Sequence, residues 1–458
     1  MNKVNKVLLA LVIVLALALM GTAGSFAWYR MNHVKVDGLV LEKDLQELDL
    51  RGTDASVQHY SNLRAALPHC RILWDVPFQG LRFPEETAEL TVDTLTREDV
   101  DGLHWFPALQ YVDARNCRDY DAIFYLEEKY PQCRVDYNVD LGSQTFDRHA
   151  QEAEFTPGQV TGQQLTENLP YLPDMKAIHF EEPDIPAAEL YALQETFPEI
   201  TFTWTKSLYG QTPAPDVKEI DISDTAPESL EEVEALAAYF PELEKLIMCN
   251  VPFENEEMAA FRDKMRPEYK VVWLVHIGAM DVRTDETSFM PGKGNKPVRN
   301  GQCYNMRYLE DLIVVDIGHQ GIQDIDWVVG TPHLKYLILA DGGPSNIEPL
   351  GCLKELVYLE LMMTYVRDLT PLVGCTALED LNLGRAPIEI DGLLEMPWLK
   401  NLWVIECGLS QQEREALTEA LPNTHIQFQG TDPIQYGWRK LPNYYKMRDA
   451  LGMWYMDQ

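Results

Sequence analysis

The chain has 458 residues, 72 acidic against 38 basic, for a formal net charge of −34 at pH 7. A surface of that sign repels nucleic acid and anionic lipid; it suits solubility outside a cell, a basic partner, or simply a solvated acidic surface. Length alone would suggest one domain per ~150 residues, but internal repeats from about residue 40 to about residue 430 point to one elongated stack instead.

Residues 7–28 carry no charge, open with an unbroken apolar run from Val7 to Met20, and follow Lys3 and Lys6. As a helix, this stretch reaches about 33 Å, enough for a hydrocarbon core of about 30 Å. The lysines favour a cytoplasmic N-terminus and an exported remainder. Residues 1–34 therefore read as a short cytoplasmic N-terminus and a single-pass signal-anchor in the cell membrane. The rival reading is a signal peptide cut near Ala23 or Ala27, which gives a secreted protein.

Between residues 35 and 278 an apolar-x-x-apolar-x-apolar strand motif recurs irregularly. It appears at Leu45/Leu48/Leu50, Thr87/Leu90/Val92, Leu109/Val112/Ala114, Met175/Ile178/Phe180, Val217/Ile220/Ile222 and Leu243/Leu246/Met248. A second element runs from a proline to a glycine: Pro68 to Gly80, Pro131 to Gly142, Pro198 to Gly210, Pro267 to Gly278, and a last copy from Pro422 to Gly430. The first four prolines lie 63, 67 and 69 residues apart. Segments before them, such as 187–195, space apolar residues three and four apart and predict amphipathic helices that the proline stops. Ile72, Trp74 and Val76 alternate as in a strand. The larger unit reads strand, helix, Pro stop, strand.

Residues 279–302 hold Pro291, Gly292, Gly294, Pro297 and Gly301 and read as a polar linker loop. From 303 to 430 the motif becomes regular. It runs Leu312/Val315/Ile317, Leu334/Leu337/Leu339, Leu356/Leu359/Leu361, Leu378/Leu381/Leu383 and Leu399/Leu402/Val404, with starts 22, 22, 22 and 21 residues apart. Further apolar sets follow, as in Ile347/Leu350/Leu353 and Val366/Leu369/Leu372, with Pro349 and Pro371 at matching turn positions. One coil cannot bury its leucines alone, so stacked coils share a core. Residues 431–458 are aromatic-rich; Tyr444, Met447, Leu451 and Trp454 would line one side of a helix. That segment reads as a tail capping the terminal coil, with an exposed ligand-binding tail as the alternative.

The strand motifs, together with Ile322–Ile325, Ile347–Leu350 and Asp368–Leu372, resemble the leucine-rich repeat family in its 22-residue bacterial form, as in internalin-like membrane-anchored surface proteins. The resemblance is strong over 303–430 and weaker before 300. It implies an α/β fold, a leucine-rich-repeat solenoid with parallel strands on the concave face, here preceded by one transmembrane helix. The sequence departs from the family where Asn is usual after each strand: Gln320, Gly342, Thr364, Ala386 and Cys407 stand there.

No H-E-x-x-H, G-x-S-x-G or Walker pattern occurs, and Gly292-Lys293-Gly294-Asn295-Lys296 lacks the P-loop spacing. His276, His319 and His333 have no partners at metal spacing, so no cofactor or metal is expected. The eight cysteines form no C-x-x-C. Cys117, Cys375 and Cys407 fall at inward positions and read as core thiols; Cys117 and Cys133 are the pair to check for a disulfide.

The third and fifth residues of each regular motif point outward on the concave sheet, and the seventh adds to them. The expected binding residues are Tyr336, Ile338, Tyr358, Glu360, Met362, Asp380, Asn382 and Trp403, because Tyr and Trp anchor interfaces and apolar patches mark partners. Glu47, Asp49, Asp113, Glu219 and Asp221 make the earlier strands acidic. The alternative is that the aromatics cover the sheet or pack against the tail. The expectation is a non-enzymatic binding or scaffold module outside the membrane that recognises a protein or glycan ligand. An envelope-associated hydrolase with its site in the irregular repeats, and a sensor co-receptor subunit, are the alternatives. The sequence leaves the oligomeric state open.

Overall fold

The computed structural model describes residues 8, 10–15, 28–291 and 297–453, and the chain divides into two compact units, residues 1–204 and 205–458. Most of the expected membrane span, residues 7–28, lies outside the described residues. Among the described residues no helix is long and apolar enough to cross a membrane.

The first unit opens with an antiparallel hairpin, His33–Val36 against Leu39–Glu42. Its turn residues Asp37 and Gly38 both take positive φ, 46° and 90°, the twist that joins two strands most tightly. Strand Glu47–Asp49 then pairs in parallel with Arg71–Leu73 across the helix Val57–Ala66. A sheet of Glu89–Thr91, Tyr111–Ala114, Arg134–Leu141 and Gln144–Asp147 follows, then one of Glu152–Phe155, Ala177–Glu181 and Thr201–Thr205. Three of the connecting helices start at side-chain caps: Ser56, Thr96 and Thr161 each accept a backbone N–H from three residues on.

In the copies that begin at Pro68, Pro131 and Pro267 the Pro-to-Gly element is a parallel strand that runs on into a hairpin; in the Pro198 copy the turn is closed by the bridge Leu208–Gln211, and the last copy is the edge strand His425–Gln427. After Arg71–Leu73 comes the hairpin Asp75–Phe78 with Leu81–Pro84, turning at Gly80. Arg134–Leu141 turns at Gly142 in the same way. Each hairpin ends one short parallel sheet, and two helical crossovers separate it from the next. This explains a spacing near three coils rather than one. The strand Glu152–Phe155 lacks the leucine motif because alanines, at 150 and 153, stand where leucines would.

The second unit begins with the parallel strands Glu219–Asp221, Lys245–Ile247 and Lys270–Val272, and the hairpin Leu274–Ile277 with Met280–Arg283. The stretch expected as a linker loop thus supplies a hairpin strand. It also supplies Ser288–Phe289, the edge of a seven-stranded parallel sheet, held by the buried Phe289 ring. Residues 292–296 lie outside the described residues.

In that sheet Val314, Tyr336, Tyr358, Asp380 and Asn401 are successive register partners. The 22-residue spacing therefore places equivalent residues side by side. Short 3-10 segments at Asp326–Gly330, Glu348–Cys352 and Thr370–Gly374 close the back of the coils. Pro349 and Pro371 sit in the first turn of their segments, where a missing N–H costs nothing. Leu312, Leu334, Leu356 and Leu378 are fully buried between the sheet and these segments. At the usual Asn position other donors serve: the Thr364 hydroxyl donates to the Leu361 carbonyl (2.7 Å) and the Cys407 thiol to that of Leu383 (3.1 Å). All eight cysteines are free thiols, six of them buried.

Candidate functional site

The eight residues expected to bind all lie on one face of the seven-stranded sheet. They are not open to solvent. Tyr358, Asn382 and Trp403 are at most 1% exposed, and Tyr336, Ile338, Glu360, Met362 and Asp380 are also buried. The expectation of an outward-facing surface is corrected by the tail, which lies across this face instead of capping only the last coil. The physical reason is the apolar side of the tail. Trp438, Met447 and Leu451 form one cluster with Val314, Tyr336, Ile338, Tyr358, Met362 and Trp403, and Ile434, Leu441 and Tyr444 pack against it.

The helix expected over residues 444–454 spans Pro442–Ala450, with the proline in its first turn. Gly437, at φ 94°, turns the chain into the short segment carrying Trp438. Trp454 lies outside the described residues.

Polar contacts fix the register of the tail. The Trp438 indole N–H donates to Glu360 Oε1 at 2.8 Å, and the Tyr358 hydroxyl donates to the same oxygen. The Trp403 indole donates to the Gln435 carbonyl (2.9 Å), and the Asn382 amide to that of Pro433 (3.0 Å). The Asn443 amide donates to Asp380 Oδ2 and Glu379 Oε2, each at 3.1 Å, while Asn401 donates to Asp380 Oδ1 at 2.8 Å. Tyr358 stacks on Trp438 at 5.1 Å between centroids.

Three carboxylates of the sheet sit in this seat: Asp316, Glu360 and Asp380. Burial pushes each carboxyl above its ordinary range, opposed by the Gly318 N–H at Asp316, by Tyr358 and Trp438 at Glu360, and by Asn401 and Asn443 at Asp380. Burial and the neighbouring Glu360 also push the Tyr358 hydroxyl well up. Among the described residues none of the three carboxylates is in an ion pair with Lys, Arg or His. Arg439 is close enough to favour the charged forms of both Asp316 and Glu360.

Trp438, Asn443 and Arg439 were not among the expected site residues. A signal for them exists in the sequence: between residues 431 and 453, Arg439, Lys440, Lys446 and Arg448 stand against Asp432 and Asp449, a basic segment in a strongly acidic chain.

The acidic residues of the earlier strands form no comparable seat. Asp49 is paired with Arg51 and Asp113 with Arg115, both on the surface. A cleft of about 400 Å³ in the second unit is lined by Glu244, Arg262, Arg266, Tyr269 and Lys270 among others. Its cations are already engaged: Arg262 and Arg266 with Glu310 at 2.7 and 2.9 Å, and Lys270 with Asp311. No group of three or more His, Cys, Asp or Glu stands ready for a metal ion among the described residues.

No family model and no curated protein matches the chain. Among solved structures, it is similar to internalin C2 of Listeria monocytogenes at 15% identity, over 50% of this chain and 83% of that one, with a TM-score of 0.24. Internalin F of the same organism matches at 12% identity over 74% and 86%, with a TM-score of 0.25. A leucine-rich-repeat protein of Leptospira interrogans matches at 14% identity over 78% and 95%, with a TM-score of 0.26. Superpositions this loose carry no functional inference.

Proposed function

We propose that the chain is a non-enzymatic binding module that recognises a polypeptide ligand through the concave face of its regular repeats. One observation supports this above the rest: a segment of polypeptide is already seated there, held by directed hydrogen bonds from its Trp438 and Asn443 to buried carboxylates. A sheet that needed only a cover would be served by apolar contact. Buried carboxylates are costly unless matched by donors, and they select among occupants. A glycan ligand is the weaker reading, since the face is filled by aromatic and aliphatic packing. The tail belongs to the function as the resident occupant.

The module works outside the membrane, tethered by residues 7–28 as a single-pass anchor with a cytoplasmic N-terminus, or is secreted after cleavage. The uncharged stretch behind Lys3 and Lys6 supports that placement.

A photo-reactive residue in place of Ile338, on the face itself, tests the function. Cross-links to another polypeptide from extracellular or envelope material, beside those to the tail, are expected. Cross-links to the tail alone would contradict it.

A further inference from the structure

The seat and its occupant differ in charge. Residues 431–453 carry four basic and two acidic side chains, in a chain whose formal charge is −34. The sheet beneath them sets Asp316 and Glu360 at the same position of alternate coils, with Ile338 between, roughly 9.5 Å apart at the ordinary strand spacing. Asp380 and Glu379 follow on the next coil. The tail meets Glu360 and Asp380 with neutral donors, the Trp438 indole and the Asn443 amide. Its cations act on the same carboxylates at longer range: Arg439 favours the charged forms of Asp316 and Glu360 and Lys446 that of Glu379, and the Lys446 ammonium donates to Asn443 Oδ1 at 3.2 Å. The face is thus an apolar trough with an aromatic socket, walled by carboxylates that the tail meets through neutral donors, with no ion pair between tail and sheet carboxylates among the described residues.

From this juxtaposition we infer that the concave face of the regular repeats is a receptor for a basic, aromatic polypeptide helix, and that the tail is a built-in copy of that ligand which a partner of the same chemistry displaces. The inference rests on the proposed binding function and adds the class of partner. Long-range attraction between an acidic chain and a basic segment speeds the encounter. The joints at Gly430 and Gly437, both at positive φ, suit a tail that swings away as a unit.

The test uses the full chain carrying Trp438→Ala and Met447→Ala, which loosens the resident tail. Two labelled peptides are the probes: residues 433–453 as they stand, and the same peptide with its four basic residues replaced by Gln. Binding is followed by fluorescence anisotropy at low and high salt. The native peptide is expected to bind about tenfold more tightly than the neutral one at low salt, equivalent to ~1.4 kcal/mol. The preference should shrink at high salt, and shrink again in a host that also carries Asp316→Asn and Glu360→Gln. Equal binding of the two peptides overturns the basic preference and leaves the concave-face function standing. Binding of neither peptide to a folded host overturns both. An independent arm avoids the loosened host: in the otherwise unaltered chain, Arg439→Gln with Lys446→Gln should lower amide-exchange protection over residues 438–451 several-fold. Unchanged protection overturns the inference.

Discussion

Glu360 concentrates the chemistry of the seat in one side chain. It is buried, accepts from Tyr358 and Trp438, shares its surroundings with Asp316 and Arg439, and has its carboxyl pushed up by burial. Asp380, facing Asn401, Asn443, Glu379 and Lys400, is pushed the same way. The sign follows from linkage. A group whose value is raised in the folded chain contributes stability below the ordinary carboxylate range and loses it as pH rises through the raised value. The contribution of these two carboxyls to the stability of the fold should therefore be largest in acid and fall toward neutrality. Glu360→Gln combined with Asp380→Asn, uncharged throughout, should flatten that part of the dependence. Chemical denaturation followed from about pH 4 to about pH 7 measures it. An equal slope in the variant would remove these two carboxyls as its source. At the same scale, Gly142 and Gly80 both turn hairpins at positive φ but meet different surroundings. A Cβ on Gly142 would lie 1.9 Å from the Gln159 carbonyl oxygen, whereas one on Gly80 meets nothing within 4 Å. Gly80→Ala should cost only the left-handed penalty, about 1–2 kcal/mol. Gly142→Ala should cost clearly more, read by chemical denaturation of the two variants side by side.

At the scale of elements, the regular coils were legible because one period governs both the leucines and the turn prolines. Register pairs such as Leu337 with Leu359 and Leu359 with Leu381 stand where that spacing puts them. The hairpins of the long repeats were not legible as hairpins. Their turn residues are Gln79-Gly80, Gly142-Ser143 and Gly278-Ala279 rather than Asn-Gly, and the strands that follow these turns lack the leucine pattern. The eight candidate residues were legible as one face because strand alternation fixes which side chains share a side. Their burial under the tail stood only as the alternative reading, because no local pattern says which surface a terminal segment will cover. The tail's own pattern, apolar at 444, 447 and 451, told only that it covers something. Trp438 is the anchor of that element. Trp438→Ala should cost about 3–5 kcal/mol at a fully buried site, and it should open the tail rather than the coils. Limited proteolysis is expected to cut within residues 431–453 much faster in the variant while residues 303–430 stay protected. Cleavage spread evenly over the regular repeats would mean that the tail holds the coils together instead of covering their face.

At the scale of the whole molecule, a chain of formal charge −34 discourages nucleic acid and anionic surfaces, while one of its basic segments, residues 431–453, lies on the sheet face that carries Asp316, Glu360 and Asp380. The residues expected as a binding patch share one sheet face and are buried beneath the tail. The most direct measurement is parallel capture of polypeptides from extracellular and envelope material by three full-length chains: the native one, Trp438→Ala, and Trp438→Ala with Glu360→Gln and Asp380→Asn. A single partner is expected, bound weakly by the native chain, about tenfold or more enriched on the opened one, and lost again when the carboxylates are neutralised. Equal capture by all three chains, or a partner indifferent to opening of the tail, would contradict a recognition surface on the concave face.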